Sequence, residues 1–247
     1  MKISVITAVY NRKNTIERVI QSIRSQDYND IEYIIIDGSS NDGTCEIIKQ
    51  NLQSGDKFIS EPDFGIYDAL NKGIELSTGE IICFLHSDDI FDNNNVLTTI
   101  SSIFKNQDFD VVYGDVIFFN KNNIALKSRH YKSKKLSKKN LSWGFMPAHP
   151  AMFIRKNVYK EIGLFNINYK IAGDYDFLCR LVNHGKYKFK KIPNILIRMQ
   201  SGGVSTKNIK NKILLNREVL RACKNNKINS NYIKLIIKYF FKIIELY

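Results

Sequence analysis

Short apolar runs alternate with segments of helical period along the first 120 residues. This alternation is typical of βαβ units that build a mostly parallel sheet. An early helix is indicated by apolar residues at helical spacing from Ile16 to Ile23. The predicted strands cover residues 3–10, 32–37, 58–61 and 81–85, and a further helix covers 66–77. We therefore expect an α/β fold with a mostly parallel central sheet flanked by helices.

The second half of the chain has a less regular pattern. Further strands are predicted at 111–113 and 116–119, an apolar segment lies at 151–154, and helices are predicted over 96–104 and 175–183. The stretch 121–140 contains eight Lys and Arg residues and no acid, which indicates an exposed connection. It includes a single aromatic residue, Tyr131, and no recognition motif accompanies it, so nucleic-acid binding is not expected.

The last stretch, 231–247, predicts a basic amphipathic helix. Lys234, Lys238 and Lys242 are four residues apart, and with Glu245 they fall within roughly 80° of one another on a helical wheel. Most of the remaining residues are apolar. This pattern fits a helix at a membrane interface. It equally fits a terminal helix packed on its own domain or on a second subunit, and the sequence leaves these alternatives open.

Composition narrows the class of protein. A chain of 247 residues with 44 % hydrophobic and 25 % charged residues is an ordinary globular chain of one large or two small domains. Its longest apolar run, 81–85, is far shorter than the ~18–20 residues of a membrane span, and the start lacks the apolar region of a signal peptide. The four cysteines form no C-x-x-C pair. We expect reduced thiols and a cytoplasmic protein.

The net charge of +13 is divided unevenly. Residues 1–120 hold 9 Lys and Arg against 19 Asp and Glu, whereas residues 121–203 hold 18 against 3 and residues 204–247 hold 10 against 2. An acidic half is suited to a metal ion, and a basic half is suited to an anionic partner. A Lys-, Asn- and Ile-rich composition would give similar surfaces, so charge alone identifies no partner.

Polar residues follow each of the first four predicted strands. They are Tyr10 and Asn11, Asp37, Glu61 and Asp63, and the run His86-Ser87-Asp88-Asp89. In an open parallel sheet, ligands bind beyond the carboxyl ends of the strands, so these groups are expected at one edge. The adjacent carboxylates Asp88 and Asp89 repel each other, and Mn²⁺ or Mg²⁺ bound to a phosphate would relieve that repulsion. Alternatively, Asp89 caps the next turn and Asp88 is simply solvated.

Other nucleotide sites are not supported. The loop from Gly38 to Gly43 has the glycine spacing of a P-loop but no lysine after it, and no G-x-G-x-x-G follows the first strand. In the basic region, Asp174 is one of three acids among residues 121–203. It is a candidate general base if it lines the same cleft. An Asp at the start of a helix is more often an N-cap.

Five motifs in a fixed order carry a family resemblance. They are the segments 4–11, 36–44, 60–73, 84–89 and 172–177, with sequences SVITAVYN, IDGSSNDGT, SEPDFGIYDALNKG, FLHSDD and AGDYDF. From residue 3 to about 205 the chain resembles family 2 of the inverting nucleotide-sugar glycosyltransferases. The resemblance is to the GT-A type, in its small single-domain, polysaccharide-building branch. It implies a Rossmann-like GT-A fold and transfer of a sugar by direct displacement.

The resemblance also implies roles for individual residues. Asp88 stands at the final Asp of the metal-binding D-x-D motif, with Asp89 and His86 beside it, and Asp174 stands at the catalytic base. The metal would be Mn²⁺ or Mg²⁺. The expected nucleotide contacts are Thr7, Ala8, Tyr10, Asn11, Asp37, Asp63, Tyr67 and Ser87. The family makes a UDP-sugar the first expectation for the donor, and the glycine-containing stretch 202–205 falls where the family often has a mobile loop.

Three departures from the family pattern refine this expectation. His86 replaces the first Asp of D-x-D, which leaves less negative charge for a metal. Gly173 replaces the Glu that often precedes the base. The Q-x-x-R-W motif of processive synthases is missing after Ile197. Transfer of a single sugar is therefore expected rather than processive polymerisation.

The resulting hypothesis divides the chain into a GT-A domain, 1–227, and a basic amphipathic helix, 228–247. Residues 1–120 would form the nucleotide-sugar half and 121–227 the acceptor half. The acceptor would be a glycan or a lipid-diphosphate-linked sugar in surface polysaccharide synthesis. The protein would be cytoplasmic or peripheral on the membrane, and a homo-oligomer is compatible with the sequence. The alternatives are a metal-dependent nucleotidyltransferase and a non-catalytic sugar-nucleotide-binding protein. The first usually has a Gly-rich basic loop after strand 1, where this chain has Tyr10-Asn11.

Overall fold

A computed structural model describes residues 1–120, 123–203 and 208–244, with side chains described outside 121–128 and 240–244. The strands are β1 (Ile3–Val9), β2 (Ile31–Asp37), β3 (Lys57–Ser60), β4 (Ile81–Phe84), β5 (Ile90–Phe91), β6 (Val111–Asn120), β7 (Asn123–Tyr131), β8 (Met152–Arg155) and β9 (Phe189–Gln200). The helices are α1 (Ile16–Arg24), α2 (Thr44–Asn51), α3 (Ile66–Leu76), α4 (Val96–Asn106), α5 (Lys138–Ser142), α6 (Lys156–Ile162), α7 (Gly173–His184), α8 (Ile209–Asn225) and α9 (Tyr232–Ile244).

The described strands form one sheet in the order β3-β2-β1-β4-β8-β6-β9-β5, and β7 pairs with β6. Strands β1 to β4 are parallel, as are β6 and β9, whereas β5, β7 and β8 run antiparallel to their neighbours. The expected α/β fold with a mostly parallel sheet and flanking helices is confirmed. The parallel strands β1 to β4 lie within the first 90 residues, whose regular pattern predicts them.

Two apolar layers cover the sheet because neighbouring residues of a strand point to opposite faces. On one face, Ile6 and Ile34 pack with Tyr67 and Leu70 of α3 and with α7. On the other face, residues such as Val5 and Ile35 pack with α1 and α4. Burying each such side chain contributes about 1.5–3 kcal/mol. The central strands are covered on both faces, which explains their nearly continuous apolar sequence.

The prediction of an exposed connection over 121–140 is wrong for the part that the structure describes. Strand β7 pairs antiparallel with β6 there. The Asp115 carboxylate accepts a hydrogen bond from the Ser133 backbone N–H (2.9 Å), and Tyr113 Oη accepts one from the Leu136 N–H (2.8 Å). Ser133 and Leu136 are buried. These contacts are nonlocal, so the basic composition of the stretch did not reveal them. Strand β9 and helix α8 were also not predicted.

Helix α9 confirms the predicted C-terminal helix, but the side that packs on the domain is one that carries a lysine. Leu235 is buried, and the ammonium of Lys238, also buried, donates to the Gly144 carbonyl oxygen (2.6 Å). Ile233 and Ile236 of the same helix are exposed. Packing on the domain, one of the alternatives above, is thus observed along the lysine-bearing side. The side chain of Lys242 and all of Glu245 lie outside the described part of the chain.

Among the described helices, none combines the length and the apolar character that a membrane crossing requires.

Candidate active site

The carboxyl ends of β1, β2 and β3 lie side by side and form one edge of the sheet, which we call the donor edge. Val9 of β1 is opposite Asp37 of β2, and Asp37 is opposite Ser60 of β3. Tyr10 follows β1 and is 57 % exposed. The structure therefore brings together the polar residues that follow the first three strands. Strand β4 lies beside β1, so the run that starts at His86 follows the neighbouring strand.

A hydrogen-bond network joins the loops at the donor edge. The Asn11 backbone N–H donates to Ser40 Oγ (2.8 Å), and its side-chain oxygen accepts from the Asn41 N–H (3.0 Å). The Asp37 carboxylate accepts from the Ser40 N–H (2.9 Å) and the Ser60 hydroxyl (2.7 Å). Burial alone would raise the pKa of Asp37, but the hydrogen bonds from Ser40 and Ser60 outweigh it and lower the pKa. An ionised Asp37 thus orders the loop after β2.

Five of the eight predicted nucleotide contacts are buried, namely Thr7, Ala8, Asp37, Tyr67 and Ser87. Thr7 is completely buried, and its hydroxyl donates to the Leu85 carbonyl oxygen (2.8 Å). Ala8 and Ser87 are also buried, and the Ser87 carbonyl oxygen accepts from the Thr15 hydroxyl (2.6 Å). These bonds hold the end of β1 and helix α1 to the segment after β4. We assign the Thr7 side chain to positioning this edge rather than to direct contact with a nucleotide.

Asp63 lies against the loop after β2 because residue 38 is a glycine. A Cβ at Gly38 would stand 2.5 Å from a carboxylate oxygen of Asp63, closer than atoms approach without a shift. The other oxygen accepts from the Gly65 N–H (2.8 Å). The connection between β3 and α3 is therefore held at the donor edge through Asp63.

The neighbouring residues Asp88 and Asp89 have different environments. Asp88 is half-buried. Asp89 is buried, and one carboxyl oxygen accepts from the Gln200 N–H at the end of β9 (3.1 Å). Burial, followed by the charge of Asp88, raises the pKa of Asp89 well above its usual range. Arg18 donates to the Asp88 carbonyl oxygen (3.2 Å) and to the Gln200 side chain (3.1 Å). Asp88 is thus better placed than Asp89 to meet a cation.

The described side chains around Asp88 are too few to hold a metal ion by themselves. In the described ranges, no three His, Cys, Asp or Glu side chains are grouped so that they could hold a metal ion. Burial lowers the pKa of His86 despite the nearby Asp88 charge, and a neutral imidazole is the form that binds metals. Mg²⁺ commonly uses one or two carboxylates and completes its shell with phosphate oxygens and water. Asp88 and His86 fit such a site only when a diphosphate supplies further ligands.

Asp174 lies in the first turn of α7 and has the character of a general base. It is half-buried, and one carboxylate oxygen accepts from the Tyr175 N–H (2.8 Å) and the Tyr67 hydroxyl (3.2 Å). Burial raises the pKa of Asp174 to about 6, although these two hydrogen bonds act to lower it. A pKa close to neutrality suits a group that accepts a proton and releases it again.

Tyr67 connects α3 to the candidate base and explains the glycine before it. The single proton of its hydroxyl is shared between the Ile171 carbonyl oxygen (2.7 Å) and the Asp174 carboxylate (3.2 Å). A Cβ on Gly173 would stand 2.8 Å from the Tyr67 ring. Gly173 thus allows the aromatic ring to pack directly on the start of α7. A Glu at this position would displace the ring.

Glu218 of α8 holds the segment before the candidate base. This carboxylate is buried and accepts from three consecutive backbone N–H groups, those of Lys170 (2.9 Å), Ile171 (2.8 Å) and Ala172 (2.9 Å). Glu218 was not among the site residues predicted from the sequence. A signal was present, because Glu218 is one of two acids in the basic stretch 204–247. We assign Glu218 as a positioning residue for Asp174.

A mostly parallel sheet with polar loops beyond its strand ends, together with a carboxylate at the start of α7, fits a transferase that uses a nucleotide-sugar donor. Residues 4–163 match the sequence profile described as glycosyl transferase family 2. The chain is 31 % identical over 183 residues to a PGL/p-HBAD biosynthesis glycosyltransferase of Mycobacterium tuberculosis, covering 72 % of this chain and 68 % of that protein. The chain therefore belongs to glycosyl transferase family 2 and is a glycosyltransferase.

Solved structures with low sequence identity share the fold. S. aureus TarS 1–349 in complex with UDP-GlcNAc aligns with a TM-score of 0.71 and 19 % identity, over 94 % of this chain and 68 % of that one. The alignment with a longer TarS chain covers 89 % of this chain and 40 % of that one. The mannosyltransferase PcManGT from Pyrobaculum calidifontis, in complex with GDP-Man and Mn²⁺, aligns with a TM-score of 0.63 and 14 % identity, over 100 % of this chain and 81 % of that one. The GT-A fold predicted from the sequence is confirmed.

Proposed function

We propose that this protein transfers a single sugar, with inversion, from a nucleoside-diphosphate donor to a glycan or lipid-linked acceptor. A UDP-sugar is the first candidate donor, supported by the likeness to TarS with UDP-GlcNAc. One observation carries the proposal. The connection between β3 and α3 begins at the donor edge with Asp63 and leads to Tyr67, whose hydroxyl bonds the half-buried Asp174. A nucleotide bound at the donor edge would thus have a general base nearby.

In the proposed mechanism, Asp174 accepts the proton of the acceptor hydroxyl as that oxygen attacks the anomeric carbon. The bond from this carbon to the donor diphosphate breaks in the same displacement, so the configuration inverts. With a pKa of about 6, Asp174 is mostly ionised at neutral pH and ready to accept the proton. Tyr67 donates a hydrogen bond to its carboxylate and fixes its direction. Glu218 fixes the backbone that precedes it.

Asp88 and His86 would hold Mn²⁺ or Mg²⁺ together with the diphosphate oxygens, which fits the two protein groups available there. The likeness to PcManGT with GDP-Man and Mn²⁺ supports this assignment. When bound, a divalent cation offsets the charge of the leaving diphosphate. Asp89 would keep the end of β9 next to this place through Gln200.

We further assign donor binding mainly to residues 1–120 and acceptor binding mainly to residues 121–227, with the segment before α3 shared between them, in surface-glycan synthesis at the cytoplasmic face of the membrane. The C-terminal segment 228–247, which contains α9, would contact the membrane through outward residues of α9 such as Ile233, which is 68 % exposed. A vesicle-flotation assay with and without residues 228–247 tests this part. Unchanged binding to vesicles would remove the helix from the account.

Calorimetric titration with UDP, GDP, dTDP and ATP, each with and without Mn²⁺, tests the donor site. We expect one nucleoside diphosphate to bind in a metal-dependent way. Subsequent incubation of sugar nucleotides of that base with candidate acceptor glycans should release the nucleoside diphosphate, because the sugar passes to an acceptor hydroxyl. A folded protein that binds none of the four nucleotides would contradict the proposed function.

A further inference from the structure

Beside Tyr67, two adjoining cavities open on the side of the molecule that carries the candidate base. The first has a volume of about 450 Å³ and is lined by residues 64–67 and 167–170. The second, of about 440 Å³, shares Asn168 and Tyr169 with it and extends to Arg221 and Asn225. Each volume lies in the range of small-molecule sites. Because the two cavities share these lining residues, they lie side by side, and we call them together the base-side groove.

The mouth of the groove has apolar side chains in contact with solvent. Phe64 is 88 % exposed and Ile167, on the opposite wall, is 47 % exposed. An aromatic ring this exposed gains nothing from the protein core, because it is removed from water only when a ligand covers it. Saccharide rings have one face of C–H groups that suits an aromatic platform. Their hydroxyls suit amide and guanidinium donors such as those of Asn168 and Arg221.

Both walls of the groove are fixed by hydrogen bonds to buried or half-buried side chains. The Phe64 N–H donates to the Asp68 carboxylate (3.1 Å). On the other wall, the Asn71 side chain bonds both backbone groups of Phe165 (2.8 and 2.9 Å), and the Glu218 carboxylate accepts from the Lys170 N–H (2.9 Å). The groove is therefore largely pre-formed, which reduces the ordering cost of binding.

Tyr67 contacts both the first cavity and the candidate base. This residue lines the first cavity, and its hydroxyl bonds Asp174 (3.2 Å). At the other end, the Arg221 guanidinium lies over the Tyr169 ring (4.0 Å to its centre) and donates to the Asn168 carbonyl oxygen (2.9 Å). A chain of sugars lying across the two cavities would place one unit beside Phe64 and Tyr67 and the next unit near Arg221.

We propose that the base-side groove binds the acceptor saccharide, with the apolar face of the accepting sugar between Phe64 and Ile167. This inference rests on the proposed function, because a bound saccharide is an acceptor only if the protein catalyses the transfer. Saccharide binding to the groove can nevertheless be tested by itself. Phe64 and Ile167 are thereby specificity-determining residues for the acceptor. They select a sugar that offers an unhindered apolar face.

Saturation-transfer-difference NMR with methyl glycosides of glucose, galactose, mannose, rhamnose and N-acetylglucosamine tests the groove, with and without UDP. We expect at least one glycoside to bind, with the strongest saturation on the protons of one ring face. Phe64→Ala should weaken this binding about tenfold. Ile167→Ser should weaken it less, because a smaller apolar surface is lost. UDP affinity should stay unchanged in both variants.

Tyr232→Ala is the matched control, because Tyr232 is a similarly exposed aromatic residue (55 %) on α9. It should leave glycoside binding as it is. Binding of no glycoside at millimolar concentration, or equal binding by Phe64→Ala and the unaltered protein, would overturn the groove as a saccharide site. If UDP fails to bind but Phe64-dependent glycoside binding persists, the groove is confirmed as a saccharide site and the proposed donor chemistry fails.

Discussion

The donor edge and the surroundings of Asp174 are built in different ways. At the donor edge, residues from successive strands meet because parallel strands end on the same side, as Asp37 and Ser60 do. Around Asp174, the contacts come from helices far apart in sequence, with Tyr67 on α3 and Glu218 on α8. The donor edge thus follows from local order along the chain. The setting of the base depends on how three helices pack.

The two regions differ in what determines the pKa of their carboxylates. Asp37 is surrounded by hydrogen-bond donors of its own and neighbouring loops, and they lower its pKa despite burial. Asp174 receives fewer donors, so burial dominates and raises its pKa to about 6. An ionised carboxylate held by donors orders a loop, whereas a less solvated carboxylate with few donors accepts protons near neutral pH.

The largest effect is expected from Asp174→Asn, which removes the proposed base while keeping the side-chain shape. Transfer should fall by about 10²–10⁴-fold, the usual contribution of a positioned general base. UDP affinity measured by calorimetry should remain the same, because the donor edge is untouched. Transfer near the original rate would place the base elsewhere.

The unaltered enzyme should also lose activity in acid. Because the base must be ionised, and its pKa is raised to about 6, the transfer rate should rise with pH through this value and level off above it. Below the pKa, the rate should fall about tenfold per pH unit. A rate profile that is flat between pH 5 and pH 7, roughly one unit either side of this pKa, would show that Asp174 does not act as the base.

Glu218→Gln separates positioning from simple stability. The amide can keep one accepting oxygen but loses the negative charge, which contributes to raising the pKa of Asp174. The pH profile of transfer should therefore move to lower pH, and the rate should fall about tenfold or more if the segment 170–172 loosens. Hydrogen exchange of that segment should speed up.

Arg217→Ala, an exposed substitution on the same helix, is the control and should change neither the exchange nor the pH profile. An altered melting temperature in Glu218→Gln with an unmoved profile would assign Glu218 to stability alone.

Asp88→Ala and Asp89→Asn test the contrast between these neighbours. Asp88→Ala should weaken UDP binding about tenfold in the presence of Mn²⁺ and little in its absence, because the loss is one charged metal ligand. Asp89→Asn should keep the metal dependence, because Asp89 is buried against Gln200. Calorimetry with and without Mn²⁺ measures both. The reverse pattern would exchange their roles.

The smallest expected effect is on stability, from Gly173→Ala. The added methyl group would stand 2.8 Å from the Tyr67 ring, so the ring must shift. Overpacking of this kind costs about 1–3 kcal/mol. The melting temperature should fall, and the shift of Tyr67 should also reduce transfer. Arg217→Ala is a suitable control, because this side chain is exposed on α8. Equal melting temperatures for the two variants would contradict the close packing of Tyr67.

Much of the parallel half could be predicted because its pattern is local. Strands β1 to β4 and helix α3 lie within one or two residues of their predicted ends. Strand β9 was not predicted because Pro193 interrupts its sequence and its apolar and polar residues do not alternate regularly. Its pairing with β6 makes it a strand. The stretch 121–140 was misread because its lysines suggested solvent, whereas Asp115 anchors it to the sheet.

The sequence by itself determined the α/β class, the positions of strands β1, β2 and β3 along the chain, and the motifs of a family whose pattern places a carboxylate at Asp174. These features follow from short-range periodicity and from motifs, which a chain carries before it folds. The tertiary structure alone decided that Glu218 holds the segment before the base and that Phe64 faces a groove. It also decided which side of α9 is buried. Such contacts join residues separated by tens of positions, and packing geometry, not local preference, selects them.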